Sequence, residues 1–368
     1  MKTVCSKNTC VGCMACMEIC PVQAVSVRED IQAYNAVIDE EKCIHCNACF
    51  RKCQNNQKPQ FFTPLVWKQG WVNNQEMREN STSGGIASAL IEQFLAEGGV
   101  VCSCAFKNGV FGFSFAERGE ELPAFKGSKY VKSNPLGVYK KIENYLKEKR
   151  NVLFIGLPCQ VGGLQTFLPA ALQQTLTCVD LICHGTPAPK TLELFLSQQQ
   201  KSLNDLNDVA FRNSHSYNVS AEGLKPLKGE TDKYSLGFLS GLFFTENCYA
   251  CKYAQTNRVG DITLGDSWGS SLEKQEQRKG VSLIACNTER GKELLSRCDL
   301  TLLDVDLESA LEHNGQLNHP SQKPKNREKF FALIAKGKSF DLAVFLCLPK
   351  KCLKQKLKRV AFALGIKK

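Results

Sequence analysis

The chain has 368 residues, 43% of them hydrophobic and 23% charged, with a formal net charge of +11. That length gives two or three domains, and that composition gives a folded, well-cored chain. It excludes a disordered or low-complexity protein, and the 20 cysteines are its anomaly. The N-terminus MKTVCSKNTC lacks the apolar stretch of a secretory signal. The best apolar run, Leu342 to Pro349, is far too short to cross a bilayer. A cytoplasmic location is expected, where clustered cysteines mean metal or redox chemistry rather than a disulfide scaffold.

Residues 5–53 hold nine of the cysteines. Cys10-x2-Cys13-x2-Cys16-x3-Cys20-Pro21 is followed by Cys43-x2-Cys46-x2-Cys49-x3-Cys53. Three thiolates two residues apart wrap a tight loop around one 4Fe-4S cube and take three irons; the fourth iron needs a ligand from elsewhere. In two-cluster ferredoxins the last cysteine of each run crosses to the other cluster. This pattern assigns Cys10, Cys13, Cys16 and Cys53 to one cluster, and Cys43, Cys46, Cys49 and Cys20 to a second. A pair of zinc sites would use CxxC pairs, not a threefold run with a fourth cysteine beyond it, twice. Small residues between ligands (Gly12, Ala15, Ala48) let backbone N–H groups approach the sulfides. Gln54 stands where the first run has proline, a departure expected to touch no ligand. His45 reads as a loop residue and Cys5 as a bystander.

The charge needs correcting for these thiolates. Each cube is about −2 with its ligands, and three such cubes, counting one more that the later cysteines could hold, would lower the net charge to roughly +5, so no nucleic-acid partner is expected.

After Cys53 the stretch QNNQKPQFFTP reads as a linker. Val100–Phe106 and Phe111–Ala116 read as strands. Ser83, Gly84 and Gly85 form a small-residue turn that opens an apolar-striped helix at Ile86, where backbone N–H groups can meet an anion or simply cap the helix. Asn151–Gly156 and Leu176–Ile182 are buried-type strands, each followed by a cysteine-bearing loop and a helix. That β-α-β-α pattern predicts a parallel sheet, with ligands just beyond its strand ends. Cys159 and Cys183 sit there. Cys248-Tyr-Ala-Cys251 supplies two more thiols, enough for a third cubane or a structural zinc.

The ordered strings STSGG, FIGLPCQVGGL, LICHGTPAP, CYACKYA and DITLGDSWG resemble the family of coenzyme F-420 hydrogenase/dehydrogenase beta subunits, from about residue 61 to 330. The resemblance implies a mixed α/β domain that binds FAD beside one 4Fe-4S cluster. Relatives act on deazaflavin coenzyme or reduce chlorophyll precursors, and bacterial members with the N-terminal module keep company with surface-polysaccharide operons. It implies third-cluster ligands Cys159, Cys183, Cys248 and Cys251. It also implies flavin contacts at Ser83, Gly84 and Gly85, at Gly127, Ser128, Lys129 and Tyr130, and at Gln160. His184 becomes a candidate proton donor to substrate or flavin, or a hydrogen-bond partner of a cluster sulfur.

The expected architecture is an α+β ferredoxin-like domain over 1–58, then a mixed α/β flavin-binding domain with a partly parallel sheet over 59–335. A basic amphipathic tail spans 336–368. Its last stretch, PKKCLKQKLKRVAFALGIKK, holds eight Lys/Arg and no acid, and reads as a membrane-peripheral or partner-docking helix. The expected function is an FAD- and iron–sulfur-dependent oxidoreductase acting on an organic substrate and fed by a ferredoxin-type donor or partner redox subunit. The alternatives are an electron-transfer subunit without a substrate and a metal-stapled interaction module.

Overall fold

The computed structural model describes residues 2–212, 217–224 and 229–364. Strands β1 (Lys2–Thr3), β2 (Val25–Glu29) and β3 (Tyr34–Ile38) form a small antiparallel sheet in the order β1-β3-β2. Two one-turn helices, Ala15–Glu18 and Ala48–Arg51, carry the middle of each cysteine run. The runs repeat one backbone path: Gly12 (φ 74) and Met14 (φ 59) in the first match His45 (φ 56) and Asn47 (φ 58) in the second. A left-handed residue next to a right-handed one turns successive backbone N–H groups into a concave, anion-binding nest. His45 thus occupies the backbone position of Gly12. Glycine is required at 12, because a Cβ would lie 2.8 Å from the Tyr34 ring.

The larger unit is built on β4 (Val66–Val72), β5 (Val100–Lys107), β6 (Val110–Ala116), β7 (Val152–Gly156) and β8 (Leu176–Leu181). A separate two-stranded ribbon, β9 (Ala210–Arg212) and β10 (Tyr217–Ser220), follows. β11 (Ile262–Asp266), β12 (Ser282–Cys286) and β13 (Leu300–Leu303) complete an eight-stranded sheet ordered β13-β4-β12-β11-β8-β7-β5-β6. β5, β7, β8 and β11 run parallel; the outer pairings are antiparallel. The fold is a mixed α/β one with a partly parallel sheet.

The parallel centre follows from unbroken apolar runs, because helices cover both faces. Alternate residues face opposite ways. Phe154 and Cys102 pack with Tyr139, Ile142, Val161 and Leu164 on one side, whereas Leu153, Ile155 and Val101 pack with Ile86, Leu90 and Phe94 on the other. Each such buried side chain contributes about 1.5–3 kcal/mol.

Cys13 and Ala15 of the small unit belong to that first core, so the two units share apolar interior. Glu18 adds to the joint: its carboxylate accepts the N–H groups of Gly137 (2.9 Å) and Lys140 (2.8 Å) at the start of the Val138–Lys147 helix. The expected linker is likewise bound. Phe62 and Arg258 exchange backbone hydrogen bonds of 2.7 and 2.8 Å, and Gln54 is 1% exposed.

The C-terminal segment is partly built into the body of the larger unit. Phe340, Ala343, Val344, Cys347 and Cys352 are buried in one core with Tyr234, Phe243 and Phe330. Apolar side chains stay outside only from Leu353 onward along the Pro349–Ala363 helix. Among the described residues, no helix is long and apolar enough to cross a membrane.

Candidate functional site

The eight cysteines singled out by spacing and the four implied by the family resemblance fall into three groups. Cys10, Cys13, Cys16 and Cys53 are all buried in the small unit. Burial pushes the Cys13 and Cys16 thiols up; at Cys10 and Cys53 a hydrogen bond with Cys5 raises them first, then burial. Cys5 shares a buried cluster with Cys10, Cys16 and Cys53, which its sequence position did not suggest. Cys20, Cys43, Cys46 and Cys49 line a second, smaller cavity nearer the surface, with Cys46 exposed. The Ala24 N–H donates to the Cys20 sulfur at 3.2 Å.

The third group is assembled by the large sheet. Cys159 lies in the first turn of the Pro158–Phe167 helix after β7, and Cys183 lies after the neighbouring β8. Cys248 lies in the turn Glu246–Ala250, and Cys251 follows it directly. All four line one cavity of about 600 Å³. The Thr186 N–H donates to the Cys248 sulfur at 3.5 Å, and Thr245 Oγ1 lies 3.5 Å from it. Burial raises the Cys159, Cys183 and Cys251 thiols, Cys183 to about 12, and neighbouring sulfurs of the same group raise each further. Four half-buried sulfurs around one cavity are held together as thiolates only when a cation is bound among them. The donors are all sulfur, which selects zinc, copper(I) or iron–sulfur. Among the described residues, no three metal-binding side chains converge on a single ion position. An all-sulfur set of four suits either a four-iron cube or a structural zinc.

The first and third groups are neighbours. Gln54 Nε2 donates to the Cys159 carbonyl oxygen at 2.6 Å and lies beside Cys13, where it lowers the thiol pKa that burial raises. The Tyr253 hydroxyl donates to Gln54 Oε1, and Lys252 Nζ donates to the Gln54 backbone oxygen. Gln54 thus contacts the backbone of a candidate ligand, which the sequence reading did not expect. Lys132, buried, donates to the Val11 carbonyl at 3.2 Å, and its charge lowers the Cys159 and Cys183 thiols. Sequence reasoning missed Gln54, Lys132, Lys252 and Tyr253. The signals available were the broken proline symmetry at 54 and the KY near the end of CYACKYA.

The string beginning at Arg258 braces this cavity. Arg258 pairs with Asp180 at 2.7 Å, both side chains almost fully buried. The second Asp180 oxygen accepts the N–H groups of Val259 (3.1 Å) and Gly260 (2.8 Å). A Cβ on Gly260 would lie 2.7 Å from the Asp180 backbone nitrogen. Asp266 pairs with Arg212 at 2.6 Å, and Arg212 stacks over Tyr217 and Trp268.

The residues expected at a flavin occupy another part of the sheet, and none of them lines the 600 Å³ cavity. Two of their loops meet, with Thr82 Oγ1 3.3 Å from Ser128 Oγ. Beside them the Ile86–Ala96 helix starts at Gly85 (φ 81) with no capping side chain, and a Cβ on Gly127 would meet nothing within 4 Å. That open corner, with free helix N–H groups, fits an anionic phosphate group. Other expected contacts are engaged within the protein. Ser83 Oγ donates to the Val281 oxygen, and Gly84 N–H donates to Ser282 Oγ. Lys129 Nζ donates to the carbonyls of Phe125 and Lys126, and burial lowers its pKa. Tyr130 stacks on Phe238 at 4.4 Å. The Gln160 side chain bridges Ser133 and Leu157. His184 lines the cavity beside Cys183; crowding around its ring lowers its pKa, and Asp266 raises it.

Residues 149–303 match the C terminus of the coenzyme F420 hydrogenase/dehydrogenase beta subunit, and residues 68–140 match its N-terminal part. The chain belongs to this family of beta subunits. Residues 9–56, which contain both cysteine runs, match a 4Fe-4S dicluster domain. The F subunit of the F(420)H(2) dehydrogenase from Methanosarcina mazei is 21% identical over 199 residues, 48% of this chain and 53% of that protein. The family member described here therefore spans about half the length of the curated relative it matches. A chain of the F420-reducing NiFe hydrogenase complex from Methanosarcina barkeri is 17% identical, with a TM-score of 0.49, covering 76% of this chain and 96% of that one.

Proposed function

We propose that this chain is an iron–sulfur flavoprotein oxidoreductase that takes electrons from a redox partner and uses them on an organic substrate. Cys20, Cys43, Cys46 and Cys49 would hold the outermost cube, facing the partner. Cys10, Cys13, Cys16 and Cys53 would hold an inner one, and Cys159, Cys183, Cys248 and Cys251 a third. The Thr82–Gly85 and Gly127–Tyr130 loops would hold the phosphates of FAD. The cubes supply one-electron transfer, and the flavin joins it to two-electron chemistry. The chain's own residues do the rest. Gln54 and Tyr253 fix the spacing between inner and third groups, Lys132 places a positive charge between them, and His184 carries a proton at the cavity mouth.

The observation that carries this reading is the Gln54 side chain, which follows Cys53, donates to the Cys159 carbonyl and lies beside Cys13. It makes the N-terminal groups a path into the larger unit. A second reading, an electron-transfer subunit with no substrate of its own, is favoured by the exposure of Cys46 and by the relative's being a named subunit.

Anoxic purification followed by iron, sulfide, zinc and flavin analysis tests the proposal. About twelve irons and one FAD per chain are expected; zinc without flavin would leave a metal-stapled interaction module instead. Turnover of candidate substrates, surface-polysaccharide intermediates among them, with a reduced ferredoxin-type donor and no added subunit separates the two redox readings.

A further inference from the structure

The Pro349–Ala363 helix has two opposed sides. One side is fastened to the body. Cys352 is fully buried, Gln355 Oε1 accepts the Thr231 N–H at 3.3 Å, Arg359 pairs with Glu230 at 3.3 Å, and Phe362 lies against Gly229. At about 100° per residue these positions share one arc.

Leu353, Leu357, Val360 and Leu364 recur at intervals of four, three and four residues, so they form one stripe roughly opposite that arc. They are 52%, 70%, 54% and 68% exposed. Lys350, Lys354 and Lys358 run along one border of the stripe and Lys356 lies along the other, all exposed. Residues 349–364 contain six Lys/Arg and no acid.

We propose that this face lies on an anionic lipid surface. An apolar stripe flanked by lysines matches a bilayer interface, where apolar side chains enter the acyl boundary and cations meet lipid phosphates. A second copy of the helix would bring two all-basic borders together, which repels. Because the opposite side is fastened to the core around Phe340 and Phe330, the body would be held against the membrane rather than on a long tether. The proposal does not depend on the redox reading.

Flotation of the full-length holoprotein with vesicles tests it. Phosphatidylcholine vesicles are compared with phosphatidylcholine–phosphatidylglycerol vesicles, at low and high salt. Binding is expected to the anionic vesicles and to weaken with salt. Leu357→Ser with Val360→Ser, and separately Lys354→Glu with Lys358→Glu, should each reduce it by about tenfold or more. Unchanged iron content and circular dichroism certify that each variant is folded, and either pair alone suffices for the test. Equal binding to neutral and anionic vesicles, no binding to either, or wild-type binding by a folded variant would overturn the proposal. So would self-association in sedimentation velocity that Leu357→Ser abolishes, without vesicle binding, since the stripe would then serve a second copy.

Discussion

The side-chain amide of Gln54 donates to the backbone carbonyl of Cys159 at 2.6 Å, across 105 residues of chain. The donor follows the last cysteine of the N-terminal runs, and the acceptor is the first cysteine of the third group. A buried amide with both ends satisfied fixes a spacing more strictly than apolar contact, because sliding leaves polar atoms unpaired.

Replacing Gln54 by leucine keeps the volume and removes both ends. The Cys159 carbonyl and the Tyr253 hydroxyl lose their Gln54 partner, at a cost of roughly 2–4 kcal/mol for the two groups. Calorimetry should show a lower unfolding midpoint at unchanged iron content. In the reduced protein, the magnetic interaction between cluster signals in electron paramagnetic resonance should change. An unaltered spectrum would mean that Gln54 only holds the units together.

Cys159→Ala should remove one cluster and no more. Iron falls from about twelve per chain to about eight, since the N-terminal groups keep all their thiols. Full iron content would show that Cys159 is not a ligand.

The Asp180–Arg258 pair is nearly free of solvent. Asp180→Asn leaves a buried guanidinium uncompensated, and breaking such a pair costs about 3–5 kcal/mol. A matching drop in denaturation midpoint is expected, with iron loss from the third group, because Arg258 also lines its cavity. A midpoint within error of the wild type would remove Arg258 as the brace.

Removing the iron provides a map of the ligands. Alkylation of the native holoprotein at pH 8, read by mass spectrometry, should leave the twelve candidate ligands unmodified. After anoxic chelation they become reactive as their sites loosen. Cys102 and Cys178 should stay unmodified throughout, because both are buried in the sheet and burial raises their thiols. Modification of Cys183 before chelation would remove it from the ligand set.

The sequence made the cysteine runs and the central strands legible because both signals are local. Fixed spacing announces Cys10–Cys20 and Cys43–Cys53, and unbroken apolar runs announce β7 and β8. The joint between the units was not legible. Gln54, Lys132 and Glu18 act on groups more than 100 residues away, and nothing in a linear reading distinguishes a buried glutamine from a linker glutamine. The antiparallel strands β4, β12 and β13 were also hidden. The Lys68 and Gln69 side chains interrupt the apolar pattern of β4, and they do so to reach Asp304.

Gly163 shows what the joint costs in freedom. A Cβ there would lie 2.8 Å from the Cys13 Cβ, 2.8 Å from Gln54 Nε2 and 2.9 Å from the Tyr139 hydroxyl. The fit between the first 56 residues and the rest is therefore made to the width of one methyl group. Such a module is not an interchangeable cassette. A foreign dicluster segment with identical cysteine spacing would meet the wrong surface on the Pro158–Phe167 helix. Exchange between family members should succeed only when that helix travels with the module.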